Sequence, residues 1–405
     1  MRYIILLNSI IINFTARLLS PFFKKDYNIW LFAFDDGGGS SFCENCWFLY
    51  KYVSEKESTI KAICISNQNN NIAKIRDNGG VLVKPNSLKM LMLILKAGVY
   101  ICEQNMHSDF INFSKKKTFK VNLWHGMIVK KIGYASNLMM KRMLIDNESR
   151  TFLKRIKDTL IGSVDYNEYD FLPCTSENMI EPMKKTFNNN NIHVVGQSRD
   201  DYFFKNLNKS TILKQNNLEF ASGKKIVSYL PTFRDVRKND RTYILFQKNR
   251  DLLSKLESHD IILMQKNHSY RGPRLNKNNN MYILESSIST QDILFLSDIL
   301  ITDYSSSFID YLHLNRPIIF YPYDIDEYVK YDRELYFDYG DPIIFPGPKV
   351  KNENELFNNI MVFCKNSDNY LKQRETSKKY FHKYSDGKSS QRTFLKISET
   401  VSNYV

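Results

Sequence analysis

Cysteine is scarce and scattered. Six residues in 405 (Cys43, Cys46, Cys64, Cys102, Cys174, Cys364) do not make a disulfide framework and fit a reducing compartment. Cys43 and Cys46 form a lone CxxC with no second pair and no histidine pair at zinc spacing, which argues against a structural zinc site. No apolar run reaches the roughly 20 residues of a membrane span. The nearest, Ile4 to Phe14, is broken by Asn8, Ser9 and Asn13. Only Arg2 precedes it and no small-residue cleavage site follows, which argues against a signal peptide. Gly37 to Gly39 stand in a row without GxGxxG spacing, so they are not a dinucleotide loop but a turn in a cleft. Acidic residues are outnumbered 43 to 57, for a net charge of +14. That excess calls for a polyanionic partner, and with no arginine-rich arm or nucleic-acid module it points away from nucleic acid and toward a phosphorylated substrate or an anionic membrane surface.

What the chain does have is apolar content, 43% hydrophobic residues over a length sufficient for two domains. After Asp26 short apolar runs alternate with helical spacing. Strands are expected at Ile29 to Phe34, Ile60 to Ile65, Val81 to Val83, Gly98 to Cys102, Val121 to Trp124, Tyr169 to Ser176, Ile192 to Gly196, Ile226 to Leu230 and Ile261 to Met264, with helices at Cys46 to Val53 and Leu88 to Leu95. Such alternation predicts parallel, doubly wound sheets. The Asn-rich patches Asn69 to Asn71, Asn188 to Asn191 and Asn278 to Asn280 read as surface loops, and the polar stretch Lys205 to Gly223 as a link between two halves. Two segments are basic and amphipathic. One is residues 1–26, where Arg17, Lys24 and Lys25 flank Leu18, Leu19, Phe22 and Phe23; the other is Asn137 to Ser163. Each suits a membrane interface; the alternative for the first is a helix packed on the protein's own core, and for the second a helix covering the cleft.

The most informative stretch is Ser297 to Tyr323, SDILITDYSSSFIDYLHLNRPIIFYPY. A strand, Ile299 to Ile301, runs into Thr302, Asp303, Tyr304 and three serines. Helical spacing of Phe308, Ile309, Leu312 and Leu314 follows, and a second apolar run starts at Ile318. A serine turn opening a helix presents hydroxyls and unpaired N–H groups to one small volume, which suits a phosphate; the simpler reading is that Ser305 or Ser306 caps the helix. Asp310 on that helix can support the loop or a ligand hydroxyl. Arg234, just past the strand Ile226 to Leu230, has the planar fork that grips phosphate oxygens, with Asp235 as its anchor. Lys266 and His268 follow the strand Ile261 to Met264. At Lys120 to Tyr134, His125 stands just beyond a strand end, where open α/β sheets bind their ligands, and can take a proton near neutral pH; a core histidine is the alternative. Asp324 and Asp326 form a DxD, but the neighbouring basic groups offset phosphate charge without a metal.

Together these strings resemble the CDP-glycerol glycerophosphotransferases, bacterial enzymes that prime or extend teichoic acids and related capsule polymers. The resemblance is carried by ITDYSSSFIDY with RPIIFYPYDIDEY, by WHGMIVKKIG, by the Gly196, Arg199, Asp200 turn, by QKNHSY, by PGP at Pro346 to Pro348 and by SDGKSSQRT. Gln197 and Ser198 stand where that turn usually has proline, and Ser269 where proline usually follows His268. The resemblance implies a GT-B-like α/β fold of two Rossmann-type domains around an interdomain cleft. Their expected extents are residues 27–205 for the acceptor domain and 206–385 for the CDP-donor domain, with a terminal helix, 386–405, packing across both. It implies His125 and His268 as catalytic residues. Arg234, Lys266, Thr302, Asp303, Ser305, Ser306 and Asp310 would bind the donor phosphates or nucleotide, and Lys130, Lys131 and Arg199 the acceptor. No metal and no cofactor are called for. The donor is CDP-glycerol or CDP-ribitol; the acceptor is a lipid-linked saccharide or polyol-phosphate chain at the cytoplasmic face of the bacterial membrane. Rival readings are a nucleotide-sugar glycosyltransferase on the same architecture and a non-catalytic envelope-binding protein.

Overall fold

A computed structural model describes residues 11, 14–16, 18–34, 44–66, 69–83, 87–103, 118–140, 165–232, 234, 243–266, 281–285, 287–365 and 367–404. The chain forms two compact units. Unit 1 comprises Met1–His125, Met139–Asp201 and Lys388–Val405; unit 2 comprises Gly126–Leu138 and Tyr202–Gly387. Among the described residues no helix is long and apolar enough to cross a membrane.

In unit 1 the strands β1 (Asp26–Ala33), β2 (Lys61–Ile65), β3 (Leu82–Val83), β4 (Ala97–Cys102) and β5 (Phe119–Asn122) form a parallel sheet in the order β3-β2-β1-β4-β5. The run of β4 is buried throughout, as an interior strand of a sheet covered on both faces must be. A short parallel pair, β6 (Leu172–Cys174) and β7 (Ile192–Val194), continues from a bridge between Val121 and Phe171. The helix Glu44–Lys56 buries Cys46, Leu49, Tyr50 and Val53, residues three to four apart that share one face. The helix Ser389–Tyr404 adds Phe394, Ile397 and Val401 to the same core, with Trp30 and Phe32 of β1.

Unit 2 repeats the plan. Its strands β8 (Lys225–Leu230), β9 (Ile261–Gln265), β10 (Met281–Ile283), β11 (Ile299–Thr302) and β12 (Ile318–Phe320) pair in parallel in the order β10-β9-β8-β11-β12. Each unit is thus a Rossmann-type doubly wound sheet, with a topological switch point between β1 and β4 in unit 1 and between β8 and β11 in unit 2. The expected α/β class with parallel sheets is the one found.

Two local expectations are corrected and a third holds. Asn69–Asp77 is a helix, not a loop; Asn71 is buried and gives its amide to the carbonyl of Phe34 at 2.6 Å, so a tertiary bond offsets the weak helix propensity of asparagine. Asn188–Asn191 is the surface turn expected, with Asn188, Asn190 and Asn191 exposed. Asn189 is buried and donates to the carbonyls of Tyr166 and Tyr169. Lys205–Gly223 is no linker: it contains the helix Lys209–Gln215, capped by the side chain of Asn208, and buries Ile212, Leu213, Leu218 and Ala221 in unit 2. The patch Asn278–Asn280, the glycine turn Asp35–Ser41, Cys43 and residues 141–163 of the second basic segment lie outside the described residues.

Candidate active site

In unit 1, Asn122 ends β5 and the chain turns at Trp124, whose φ of 53° is left-handed. That conformation is costly for a bulky side chain and persists only where the surroundings hold it. Four hydrogen bonds do so. Trp124 N–H donates to Asn122 Oδ1 at 2.9 Å, and its carbonyl accepts Asn45 Nδ2 at 2.8 Å. The carbonyl of His125 accepts Arg199 Nη1 at 2.7 Å, and Arg199 N–H donates to Asn45 Oδ1 at 3.0 Å. The indole is buried and packs edge-on against Tyr166 and Phe187, while the adjoining imidazole of His125 is exposed, its ring 4.2 Å from the indole.

Beneath this loop lies Glu103, the residue that follows β4. It is 4% exposed, its Oε1 takes the N–H of Asn45 at 3.2 Å, and its Oε2 has no hydrogen bond among the described residues. Burial pushes its carboxyl up to about 8, against the opposing pull of the Arg199 charge. Loss of hydration disfavours the anion more than one neighbouring cation restores it. Arg199 is buried and its guanidinium is turned to the His125 carbonyl, where an acceptor-binding role would need it facing a ligand. Gly196, three residues earlier, has a φ of +86°, and a Cβ there would come within 2.4 Å of Ser389 Oγ.

Lys130 and Lys131, expected beside His125, belong to unit 2. The segment pairs with residues 334–336: Lys131 N–H donates to the Glu334 carbonyl and Tyr336 N–H to the Val129 carbonyl, both at 2.8 Å. The peptide bond from His125 to Gly126 is therefore where the chain passes from one unit to the other.

In unit 2 the switch point is occupied by an ionic cluster. Arg234 Nε donates to Asp324 Oδ2 at 3.0 Å, its Nη2 to Asp324 Oδ1 at 2.9 Å and to Asp303 Oδ2 at 2.8 Å, and its Nη1 to the Thr232 carbonyl at 2.6 Å. The guanidinium lies 4.9 Å from the Tyr328 ring centroid and 5.3 Å from that of Tyr304. Burial works against its charge, but the carboxylates of Asp303 and Asp324 hold its proton more tightly than usual. The fork expected to grip phosphate thus grips Asp324, and its anchors are Asp303 and Asp324; Asp235 lies outside the described residues. One guanidinium shared by two carboxylates braces this edge of the sheet.

Asp303 and Thr302 are likewise structural. Asp303 is fully buried and its Oδ1 accepts the N–H groups of Thr232 and Tyr304, at 2.9 and 2.6 Å. Thr302 Oγ1 donates to the Leu230 carbonyl at 2.8 Å. Together they tie the end of β11 to the end of β8. Asp310, also buried, accepts Gln291 Nε2 at 2.9 Å.

Ser305 and Ser306 remain half-exposed. Neither hydroxyl is drawn into a cap beyond a 3.3 Å bond from Ser307 N–H to Ser305 Oγ. The helix they open is only Ser307–Tyr311, continued as a 3-10 turn to Leu314. Its dipole is correspondingly small, so the hydroxyls and turn N–H groups are what the site offers an anion. Lys266 is half-exposed and donates to the Ile288 carbonyl; His268 lies outside the described residues. Asp324 was legible only as part of a DxD, whereas its carboxylate holds Arg234 and the Tyr304 hydroxyl. Asn45 and Glu103 went unread. The one local signal for Glu103 is its position immediately after a strand end, where ligands bind in such sheets.

Residues 13–399 match the family described as CDP-Glycerol:Poly(glycerophosphate) glycerophosphotransferase. The teichoic acid glycerol-phosphate primase of Bacillus subtilis (strain 168) is 29% identical over 319 residues, covering 78% of this chain and 77% of that protein. The teichoic acid glycerol-phosphate transferase of Staphylococcus aureus (strain NCTC 8325 / PS 47) is 26% identical over 394 residues, covering 93% and 94%. A structure of the wall teichoic acid polymerase TagF superposes with a TM-score of 0.74 at 22% identity, covering 96% of this chain and 93% of that one, and so has the same fold. With one family spanning nearly its whole length, the chain belongs to the CDP-glycerol:poly(glycerophosphate) glycerophosphotransferases.

Proposed function

We propose that this transferase moves glycerol phosphate from CDP-glycerol to a hydroxyl of a lipid-linked saccharide or polyol-phosphate chain in teichoic acid or capsule synthesis. The observation that carries the reading is the exposed imidazole of His125 on a backbone held in place at the ligand-binding edge of a parallel sheet, in a chain that matches this family end to end. His125 takes the proton of the acceptor hydroxyl as its oxygen attacks the phosphorus that bears glycerol. The bond from that phosphorus to the bridging oxygen breaks, and CMP leaves with the electron pair. The product is a phosphodiester. The reaction requires the donor's phosphates to come within reach of His125. Ser305, Ser306, Lys266 and His268 are the groups for those phosphates, with Arg234, Asp303 and Asp324 as the brace that shapes the loop.

A basic, partly apolar surface supports work at an anionic cytoplasmic leaflet. The net charge is +14, and Phe14, Leu18 and Phe22 of the amino-terminal segment are 50%, 57% and 83% exposed beside the exposed Lys24.

The test is incubation of the purified protein with CDP-glycerol, CDP-ribitol and lipid-linked acceptors, followed by identification of the nucleotide released. CMP is expected; a nucleoside diphosphate released from a nucleotide-sugar would instead make it a glycosyltransferase. His125→Ala is expected to lower kcat by about 10²- to 10⁴-fold, the usual contribution of a general base, with CDP-glycerol binding retained. Full turnover by His125→Ala would remove the imidazole from the mechanism.

A further inference from the structure

The loop that presents His125 is held by Asn45, Arg199 and Glu103, of which only Arg199 falls within a motif that carries the family resemblance. Asn45 uses both ends of its amide: Nδ2 binds the Trp124 carbonyl and Oδ1 takes the N–H of Arg199. Arg199 returns to the His125 carbonyl through Nη1. Carbonyls on consecutive residues, Trp124 and His125, are thus each fixed by a side chain from another part of unit 1. Asn45 is set in turn by Glu103, whose Oε1 accepts its main-chain N–H. The bonds converge on a residue with left-handed backbone, Trp124, and strain of that kind persists where surrounding structure over-determines it, often beside functional groups. Asn45 and Arg199 are 1% and 8% exposed, and Glu103 4%. None of the three is therefore displayed for substrate in the way His125 is.

We propose that Asn45 and Arg199 are positioning residues for His125, with Glu103 seating Asn45: they fix the two carbonyls that set where the imidazole stands, so that their contribution to turnover passes through His125. This rests on the reading of His125 as the base. It also reassigns Arg199, whose charge and reach suggest acceptor binding in sequence, to the support of the catalytic loop.

A base displaced by about 1 Å loses on the order of 100-fold in rate while substrate binding is spared. Arg199→Ala and Asn45→Asp are therefore expected to lower kcat on that scale, with KM for CDP-glycerol within about twofold of its starting value. Arg199→Lys keeps the charge and one donor for the His125 carbonyl and is expected to recover most of the loss. The decisive readout is a cycle with His125→Ala: in that background the residual turnover should not fall further when Arg199 or Asn45 is changed. An equal fold-loss with and without His125, a change in KM alone, or unaltered kcat would overturn the proposal. Should Arg199→Ala fail to fold, Asn45→Asp carries the same cycle. Full activity of His125→Ala would instead overturn the base assignment, and the positioning role with it; loss in His125→Ala with additive losses in the cycle would overturn the positioning role alone.

Discussion

Arg234 gives both Nε and Nη2 to the carboxylate of Asp324, a residue 90 positions away in sequence, at 3.0 and 2.9 Å. This bidentate pair, with Asp303 on the same guanidinium, joins the loops after β8, β11 and β12 into one braced edge. Arg234→Ala would leave two buried carboxylates without their counter-ion, and removing one partner of a buried pair costs about 3–5 kcal/mol. Urea unfolding is expected to show a loss of that size, and Arg234→Lys a smaller one, since a point charge cannot serve both carboxylates in that geometry. A fall in CDP-glycerol affinity with unchanged stability would return Arg234 to the role of phosphate ligand.

Glu103 makes the stability of unit 1 depend on pH. Its carboxyl is pushed from 4.5 to about 8 in the folded protein. Between those values the folded chain keeps a proton that the unfolded chain has released, so Glu103's contribution is fully present below about pH 4.5, falls as pH rises, and is lost above about 8. The slope is at most about 1.4 kcal/mol per pH unit. Glu103→Gln does not titrate. Its melting temperature relative to the parent is expected to rise from pH 5 to pH 8; a constant difference across that range would show that Glu103 is ionised throughout.

Ser305→Ala and Ser306→Ala test the turn. A hydrogen bond to a charged group contributes about 1.5–3 kcal/mol, so each change is expected to raise KM for CDP-glycerol by roughly 10- to 100-fold if its hydroxyl meets the donor phosphates. Thermal stability should change little, because among the described residues neither hydroxyl donates a hydrogen bond and Ser305 Oγ accepts only the long one from Ser307 N–H. An unchanged KM in both would leave the turn with a purely structural role.

Gly347 is a packing requirement. A Cβ there would stand 2.2 Å from the Ile318 carbonyl oxygen, while Phe320 N–H donates to the Pro348 carbonyl and Val350 N–H to that of Phe320, extending the edge of β12. Backbone cannot yield as a side-chain tip can. Gly347→Ala is expected to destabilise by about 1–3 kcal/mol, the usual range for overpacking, measured by urea unfolding.

The strand and helix alternation was legible because burial imposes periods that a local reading can find: the apolar runs at β8, β9 and β11 fall within a residue or two of their bounds. His125 was legible for a related reason, since strand ends are where doubly wound sheets bind ligands. What stayed hidden depends on contacts made at long range. Asp235 is the nearest carboxylate to Arg234 in sequence, but the partners observed are Asp303 and Asp324. Asn45 and Glu103 become informative only when β4 and β5 lie side by side and bring residue 103 under residue 124. Asn69–Asp77 was misread because asparagine's local preference is for turns, and only the bond from Asn71 to Phe34 says otherwise.

Unit 1 is closed by the segment Lys388–Val405, which lies beyond all of unit 2 in sequence. The helix Ser389–Tyr404 places Phe394, Ile397 and Val401 in the core that Leu49 and Val53 of the Asn45 helix share. A chain still emerging from the ribosome therefore carries β1 to β7 with part of their hydrophobic covering not yet made. Since domains otherwise tend to form in order of synthesis, the core of the first unit has to wait for residues made after the whole of the second, and the packing beneath the Asn45 helix is completed only once Phe394, Ile397 and Val401 are in place.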